Sequence, residues 1–344
     1  MSRGGTLERA AVLHAPEDVR VQEVEPEPLR PGAVRIAVAA TGLCGSDLHY
    51  YADGRNGPNV LRTPTVLGHE SAGSITEIGD GVDPDLLGRL VAAEPARPCR
   101  RCETCASGRY NLCPAGRCFG SPPTHGTIRS SVVVDAELAH AVPQNVDPAE
   151  AALVEPLAVA CWAARRAGIV SGSSVLVTGA GPIGQLAVAA ARAAGAARIV
   201  LTDVDPRRLA SAAGAGADEV LDTSADQLPT GFDHQLECSG APEALAPAAL
   251  VPGGVLALVG VPAGRAPSPE LLAAAQRWEI DVRGCFRYGP GAFRAAVGMV
   301  RAGRVDLARM VTGRFPLEQT GLALHTALTD RDHLKIAVLS EEDA

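Results

Sequence analysis

Residues Ser174 to Asp203 read SVLVTGAGPIGQLAVAAARAAGAARIVLTD, and this stretch decides the fold. SVLVT is a short apolar run that predicts a buried strand. Gly179-Ala180-Gly181-Pro182-Ile183-Gly184 then fits G-x-G-x-x-G, Gly184–Ala194 predicts a helix, and RIVLTD a second strand. In a chain with 37 glycines the hexapeptide alone is a weak signal. Between a strand and a helix it has the context of a dinucleotide-phosphate loop. Gly179 permits the tight turn, Gly181 lets a pyrophosphate approach the backbone, and Gly184 lets helix and strand pack closely. The helix N-terminus offers unpaired N–H groups and a positive dipole end to the phosphates.

Asp203 ends the second strand 19 residues beyond Gly184, where an acidic residue bonds the adenosine ribose hydroxyls. The same carboxylate would repel a 2′-phosphate, which favours NAD over NADP. Arg207 and Arg208 argue the other way, since either can accept a phosphate. A purely structural role for Asp203, in the turn before the helix that Asp205-Pro206 starts, also stays open.

Working outward, PRRLASAAG reads as a helix, and EVLD, HQLECSG and GVLALVG as strands. Such alternation predicts a parallel sheet covered by helices on both faces. Upstream, from Leu7 to about Val154, the texture is β-rich, with runs such as Val34–Gly42 and Ser71–Gly79 between Pro/Gly turns. From about Phe286 the pattern is mixed and ends in a strand, LKIAVLS. With 344 residues and about 150 per domain, two domains are expected.

Composition narrows the function classes. At 47% hydrophobic and 20% charged residues the chain is an ordinary globular protein rather than a disordered one. A net charge of −8 offers no footprint for nucleic acid or an anionic membrane. The first residues lack the apolar core of a secretory signal. A charge-free stretch, Val170 to Ala191, approaches the ~20 residues a bilayer crossing needs, but several glycines and Pro182 interrupt it. Thirty of the 31 basic residues are Arg, with Lys335 the only lysine, a skew that with the abundant Ala reads as coding bias.

Four of nine cysteines form Cys99-x2-Cys102-x2-Cys105-x7-Cys113. In a large chain without a signal this spacing favours metal ligation in a reducing cytoplasm over disulfides. Four thiolates close a tetrahedral zinc site, which then holds structure and performs no chemistry. A disulfide pair and a nucleic-acid-binding zinc ribbon are the competing readings; the redox context and the acidic charge disfavour them. Cys118 breaks the spacing and reads as an ordinary buried thiol.

Three polar clusters stand in apolar or Gly-rich surroundings: Gly42 to His49, Gly68-His69-Glu70, and Val154-Glu155-Pro156. An open catalytic zinc needs about three protein ligands and one exchangeable position. Cys44 and His69 can supply two, and Glu70 or Glu155 the third. Spacing alone does not separate this from a core cysteine and a core histidine.

GLCGSDLHYY, TPTVLGHES, the four-cysteine loop, VEPLAVA, TGAGPIG and GCFRYGP occur here in the order seen in one family. Across essentially its whole length the chain resembles the zinc-dependent medium-chain alcohol/polyol dehydrogenases, most closely the sorbitol/L-idonate branch. The resemblance implies a β-rich GroES-like catalytic domain over residues 1–157, a Rossmann doubly wound parallel-sheet domain over 158–285, and a return to the catalytic domain over 286–344. It implies a catalytic zinc surrounded by Cys44, His69 and Glu70, with Glu155 bound directly or through water, and a second, structural zinc. It implies that Ser46 takes the substrate proton and passes it through the cofactor ribose to His49. Tyr50, Phe119, Arg287 and Tyr288 match positions lining the substrate cleft. Trp162, and Thr124-His125, depart from the residues relatives carry there. The expected function is oxidation of a polyol or sugar acid by NAD in a homo-oligomer, dimer or tetramer. Another secondary-alcohol dehydrogenase (threonine, butanediol or cyclitol) and a non-catalytic NAD-binding relative are the competing readings.

Overall fold

The computed structural model describes residues 7–262 and 269–340. The chain forms two compact units, residues 1–155 with 306–344, and residues 156–305. The chain therefore returns to the first unit at Asp306, not near residue 286. The reason is the helix Ala292–Arg301, whose buried face of Phe293, Ala296, Val297 and Met299 belongs to the second unit.

The centre of the first unit is the strand Ala33–Gly42, whose inward positions Val34, Ile36, Val38 and Ala40 are at most 2% exposed. It pairs antiparallel with Glu70–Ile78, with Ser131–Asp135 and with the C-terminal strand Lys335–Leu339. Leu90–Ala93, Ala139–Ala141 and Val311–Pro316 complete a seven-stranded sheet. Strand register places the polar clusters. Gly42 lies opposite Glu70 on one side and Ala337 on the other. A Cβ on Gly42 would stand 2.5 Å from a Glu70 carboxylate oxygen, so only glycine leaves room for that carboxylate. Immediately beyond, Cys44 starts the helix Gly45–Asp53, which Gly54 ends in a left-handed conformation.

The second unit is a six-stranded parallel sheet. Its order is Glu219–Asp222, Arg198–Asp203, Ser174–Thr178, Phe232–Glu237, Leu250–Leu258, Asp281–Gly284. In chain order this is 3-2-1-4-5-6, the doubly wound arrangement that binds dinucleotides where the strand order reverses. The strands expected from the apolar runs are all present, and the helix after the Gly-rich turn spans Pro182–Ala193. Gly184 packs so tightly that a Cβ there would lie 1.7 Å from the Gly179 carbonyl oxygen. Among the described residues no helix is long and apolar enough to cross a membrane.

Candidate active site

Cys44, His69 and Glu70 bring one sulfur, one ring nitrogen and one carboxylate oxygen within 4.8 Å of one another. Strand pairing makes this possible, because Cys44 follows Gly42 and Glu70 is Gly42's partner across the sheet. Asp47, fully buried, ties the two segments together. Its carboxylate accepts the Cys44 N–H at 3.0 Å and the Gly68 N–H at 3.0 Å, and lies 3.8 Å from His69 Nδ1. Burial works against an imidazolium at His69, but the charges of Asp47, Cys44 and Glu155 outweigh it and hold the ring well above its ordinary value.

Behind the cluster lies Lys335, 6% exposed. Its Nζ donates to both Glu70 oxygens at 2.5 Å and to the Leu43 carbonyl at 2.9 Å. Burial opposes the ammonium, yet Glu70, Cys44 and Glu155 hold its pKa above the usual lysine value. Neither Asp47 nor Lys335 emerged from the sequence as a site residue. Asp47 was visible only as one member of the Gly42–His49 cluster, and Lys335 only as the sole lysine among 31 basic residues.

The donor set fits a divalent ion. Asp47, Glu70 and Glu155 are 0, 1 and 7% exposed; Asp47 and Glu155 act on His69, and Glu70 and Glu155 on Lys335. A sulfur, a ring nitrogen and a carboxylate oxygen converging here are the donor types that a catalytic zinc takes. Cys44, His69 and Glu70 would hold it, leaving one coordination position open. Glu155 stands outside the three-ligand cluster and acts on it through its charge.

Cys99, Cys102, Cys105 and Cys113 form a second cluster within the same 4.8 Å limit, on a loop with one short helix, Glu103–Ala106. Hydrogen bonds from Thr104 and the Cys105 backbone lower the Cys102 thiol to about 6, while burial and the neighbouring thiols push Cys105 up to about 12. Four soft donors fit zinc with no position left for substrate. The loop is anchored by Tyr110, whose hydroxyl donates to buried Glu94 at 2.6 Å, with His140 on the other Glu94 oxygen. Cys118, 6% exposed, stays outside, and all nine cysteines are free of disulfides.

Ser46 and His49 lie on the helix that Cys44 starts, three residues apart and so on one face. His49 is exposed and 3.9 Å from Asp53. The four residues expected to line the cleft differ in burial. Tyr50 and Phe119 are 1 and 3% exposed in apolar cores, Phe119 beneath the Arg97 guanidinium. Tyr288, 1% exposed, packs edge-on against Phe293. Arg287 alone of the four is half-buried with its guanidinium over the exposed Phe286 ring, on backbone at φ 51°.

In the second unit a cavity of about 470 Å³ opens where the strand order reverses, lined by Gly179, Asp203, Thr223, Leu228, Ser239 and their neighbours. The Gly-rich turn fits a pyrophosphate, since a Cβ on Gly181 would meet no protein atom. Asp203 has a place in both of its readings. Its carboxylate accepts N–H bonds from Ala180, Val204 and Asp205 at 2.7 to 3.0 Å, which locks the turn, and it also lines the cavity. Arg208 is not among the lining residues.

A closed thiolate site, an open mixed-donor site and a dinucleotide fold define a metal-dependent dehydrogenase. Comparison with known proteins agrees. Residues 30–144 match the alcohol dehydrogenase GroES-like domain, and residues 182–302 match the zinc-binding dehydrogenase family. Sorbitol dehydrogenase of Bacillus subtilis is 37% identical over 342 residues, 96% of each chain. The crystal structure of L-idonate 5-dehydrogenase from Escherichia coli superposes with TM-score 0.91 at 30% identity, covering 97% of this chain and 99% of that one. A chain from Sinorhizobium meliloti bound to NADP gives 0.88 at 28% identity, covering 98 and 100%. The protein belongs to the zinc-binding dehydrogenases of the alcohol/polyol group, and it is an oxidoreductase.

Two substitutions test the scaffold of the cluster. Lys335→Met leaves the Glu70 carboxylate buried without its partner, at about 3–5 kcal/mol. The metal-free protein is then expected to melt about 10 °C lower, with a smaller loss once zinc is bound; unchanged melting of the metal-free form would count against the pair. Asp47→Asn is expected to weaken zinc binding about 10–100-fold in chelator competition. Equal affinity would show that Asp47 does not orient the ligands.

Proposed function

We propose that the protein oxidises a secondary alcohol of a polyol or sugar acid, of the sorbitol, xylitol or idonate type, by hydride transfer to NAD. The observation that carries this is the open cluster of Cys44, His69 and Glu70, which brings the donor types of a catalytic zinc within reach of one another. The names of the Bacillus relative and the Escherichia structure support the substrate class.

A zinc ion at this cluster supplies Lewis acidity, lowering the pKa of a bound hydroxyl as it does that of water. The chain's residues do the rest. Asp47 keeps the Cys44 and His69 segments at fixed separation, and Lys335 holds Glu70 in place. Ser46 Oγ, two residues after Cys44, accepts the departing proton as its own hydroxyl proton passes on through the cofactor ribose. His49, one helical step further on the same face and open to water, releases it to solvent. In this reading Arg287 orients a hydroxyl or carboxylate of the substrate.

Nine cysteines without a disulfide suit a reducing cytoplasm. The edge strand Asp281–Gly284 supports self-association. It carries exposed Val282 between Asp281 and Arg283, with Trp278 and Phe286 exposed nearby. Antiparallel pairing of two copies about Val282 sets each Asp281 opposite an Arg283. Light scattering should report a dimer or larger, and a Val282→Lys variant a smaller species; a wild-type monomer would refute this.

The activity is tested by absorbance at 340 nm with NAD and a panel of sorbitol, xylitol, idonate, threonine and butanediol, alongside metal analysis. Turnover on a polyol or sugar acid, loss on chelation and two zinc atoms per chain are expected. Ser46→Ala should lower turnover by about 10²-fold or more with zinc content unchanged. Bound dinucleotide with no turnover on any alcohol would overturn the reading, and wild-type turnover in Ser46→Ala the proton relay.

A further inference from the structure

Family likeness leaves the choice of dinucleotide open, since one similar chain carries NADP. The lining of the second unit's cavity bears on that choice more directly. Leu228, Ala241, Ala244 and Ala246 give it an apolar patch suited to a flat base. Besides Asp203, two further carboxylates line it, Asp226 and Glu243. Asp226 follows the strand Glu219–Asp222, and Glu243 sits in the turn Pro242–Ala244 after the strand Phe232–Glu237. Both are therefore on loops at the carboxyl ends of parallel strands.

No lysine, arginine or histidine lines the cavity among the described residues. The nearest candidate in sequence, Arg207, spends its guanidinium on Asp205, with Nε 3.3 Å from one carboxylate oxygen and Nη2 3.4 Å from the other. A ribose phosphate, with about −1.5 to −2 charge, would enter this rim among three carboxylates, and no described lining residue would offer it a cation. Free ribose hydroxyls would instead find acceptors.

We propose that Asp226 and Glu243 are specificity-determining residues that exclude a 2′-phosphorylated dinucleotide, so that selection for NAD is shared among three carboxylates rather than resting on Asp203. The proposal rests on the reading of the cavity as the adenosine site. Asp226 and Glu243 are also the cleaner positions to substitute. Removing the Asp203 carboxylate unfastens the Ala180 N–H and with it the Gly-rich turn. Asp226 and Glu243 are exposed, and the bond Asp226 accepts from the Asp222 N–H at 3.3 Å survives replacement by Asn because the amide oxygen still accepts.

The test is calorimetric titration of the full-length protein with NAD and with NADP, before and after the double substitution Asp226→Asn, Glu243→Gln. Wild type should bind NAD more tightly. In the double variant NADP affinity should rise about tenfold while NAD changes less than about threefold, and the gain should shrink at high salt because it acts through solvent-screened charges. Unchanged NADP affinity, or an equal gain for both dinucleotides, overturns the assignment while leaving the site intact. Wild-type protein that binds neither dinucleotide overturns the reading of the cavity itself.

Discussion

The buried ion pair between Glu70 and Lys335 is the constraint on which the first unit depends. It joins residues 265 positions apart, at the point where the strands Glu70–Ile78 and Lys335–Leu339 flank the end of Ala33–Gly42. A carboxylate buried to 1% exposure is expensive unless paired and hydrogen-bonded. The pair meets that condition and aims Glu70 at the side of the strand where Cys44 emerges. Replacing it with packed apolar side chains could cost nothing in stability. Its retention is then explained by position: the charge is needed where a metal ligand must stand.

The same logic appears, with different chemistry, in the second unit. Asp203 closes the Gly-rich turn by accepting three backbone N–H groups, and it also lines the cavity. In both units one carboxylate is a structural fastener and a functional group together. Asp203 sits at the carboxyl end of its strand, where backbone groups without ladder partners hold it, whereas Glu70 is held by the Lys335 side chain.

How much of this could be read from the sequence depends on the range of the interaction. Ser174–Asp203 was legible in detail, since strand, turn and helix follow each other and each glycine's role is local. The four cysteines were legible because one short loop contains the whole site. The three-ligand cluster was legible only through family likeness, as its members meet by sheet register and not by spacing. The burial of Tyr50, Phe119 and Tyr288 was not legible, because it is decided by neighbours such as Arg97 and Phe293, which no short motif contains. The return of the chain at Asp306 was hidden for a similar reason: an amphipathic helix declares that it has a buried face, but not which core receives it.

Lys335 shows what the composition did contain. The chain uses Arg for thirty of 31 basic residues, so the one lysine marks a place where arginine does not serve. Its nitrogen has three acceptors converging on it, two Glu70 oxygens and the Leu43 carbonyl. An ammonium carries three donors on a single atom and matches that convergence. A guanidinium spreads five donors over a planar fork and would either displace Glu70 or leave donors buried without acceptors. Packing is tight here as well, because Gly42 has already given up its side chain to make room for the Glu70 carboxylate. Coding bias explains the arginines; the geometry behind the metal ligands explains the exception.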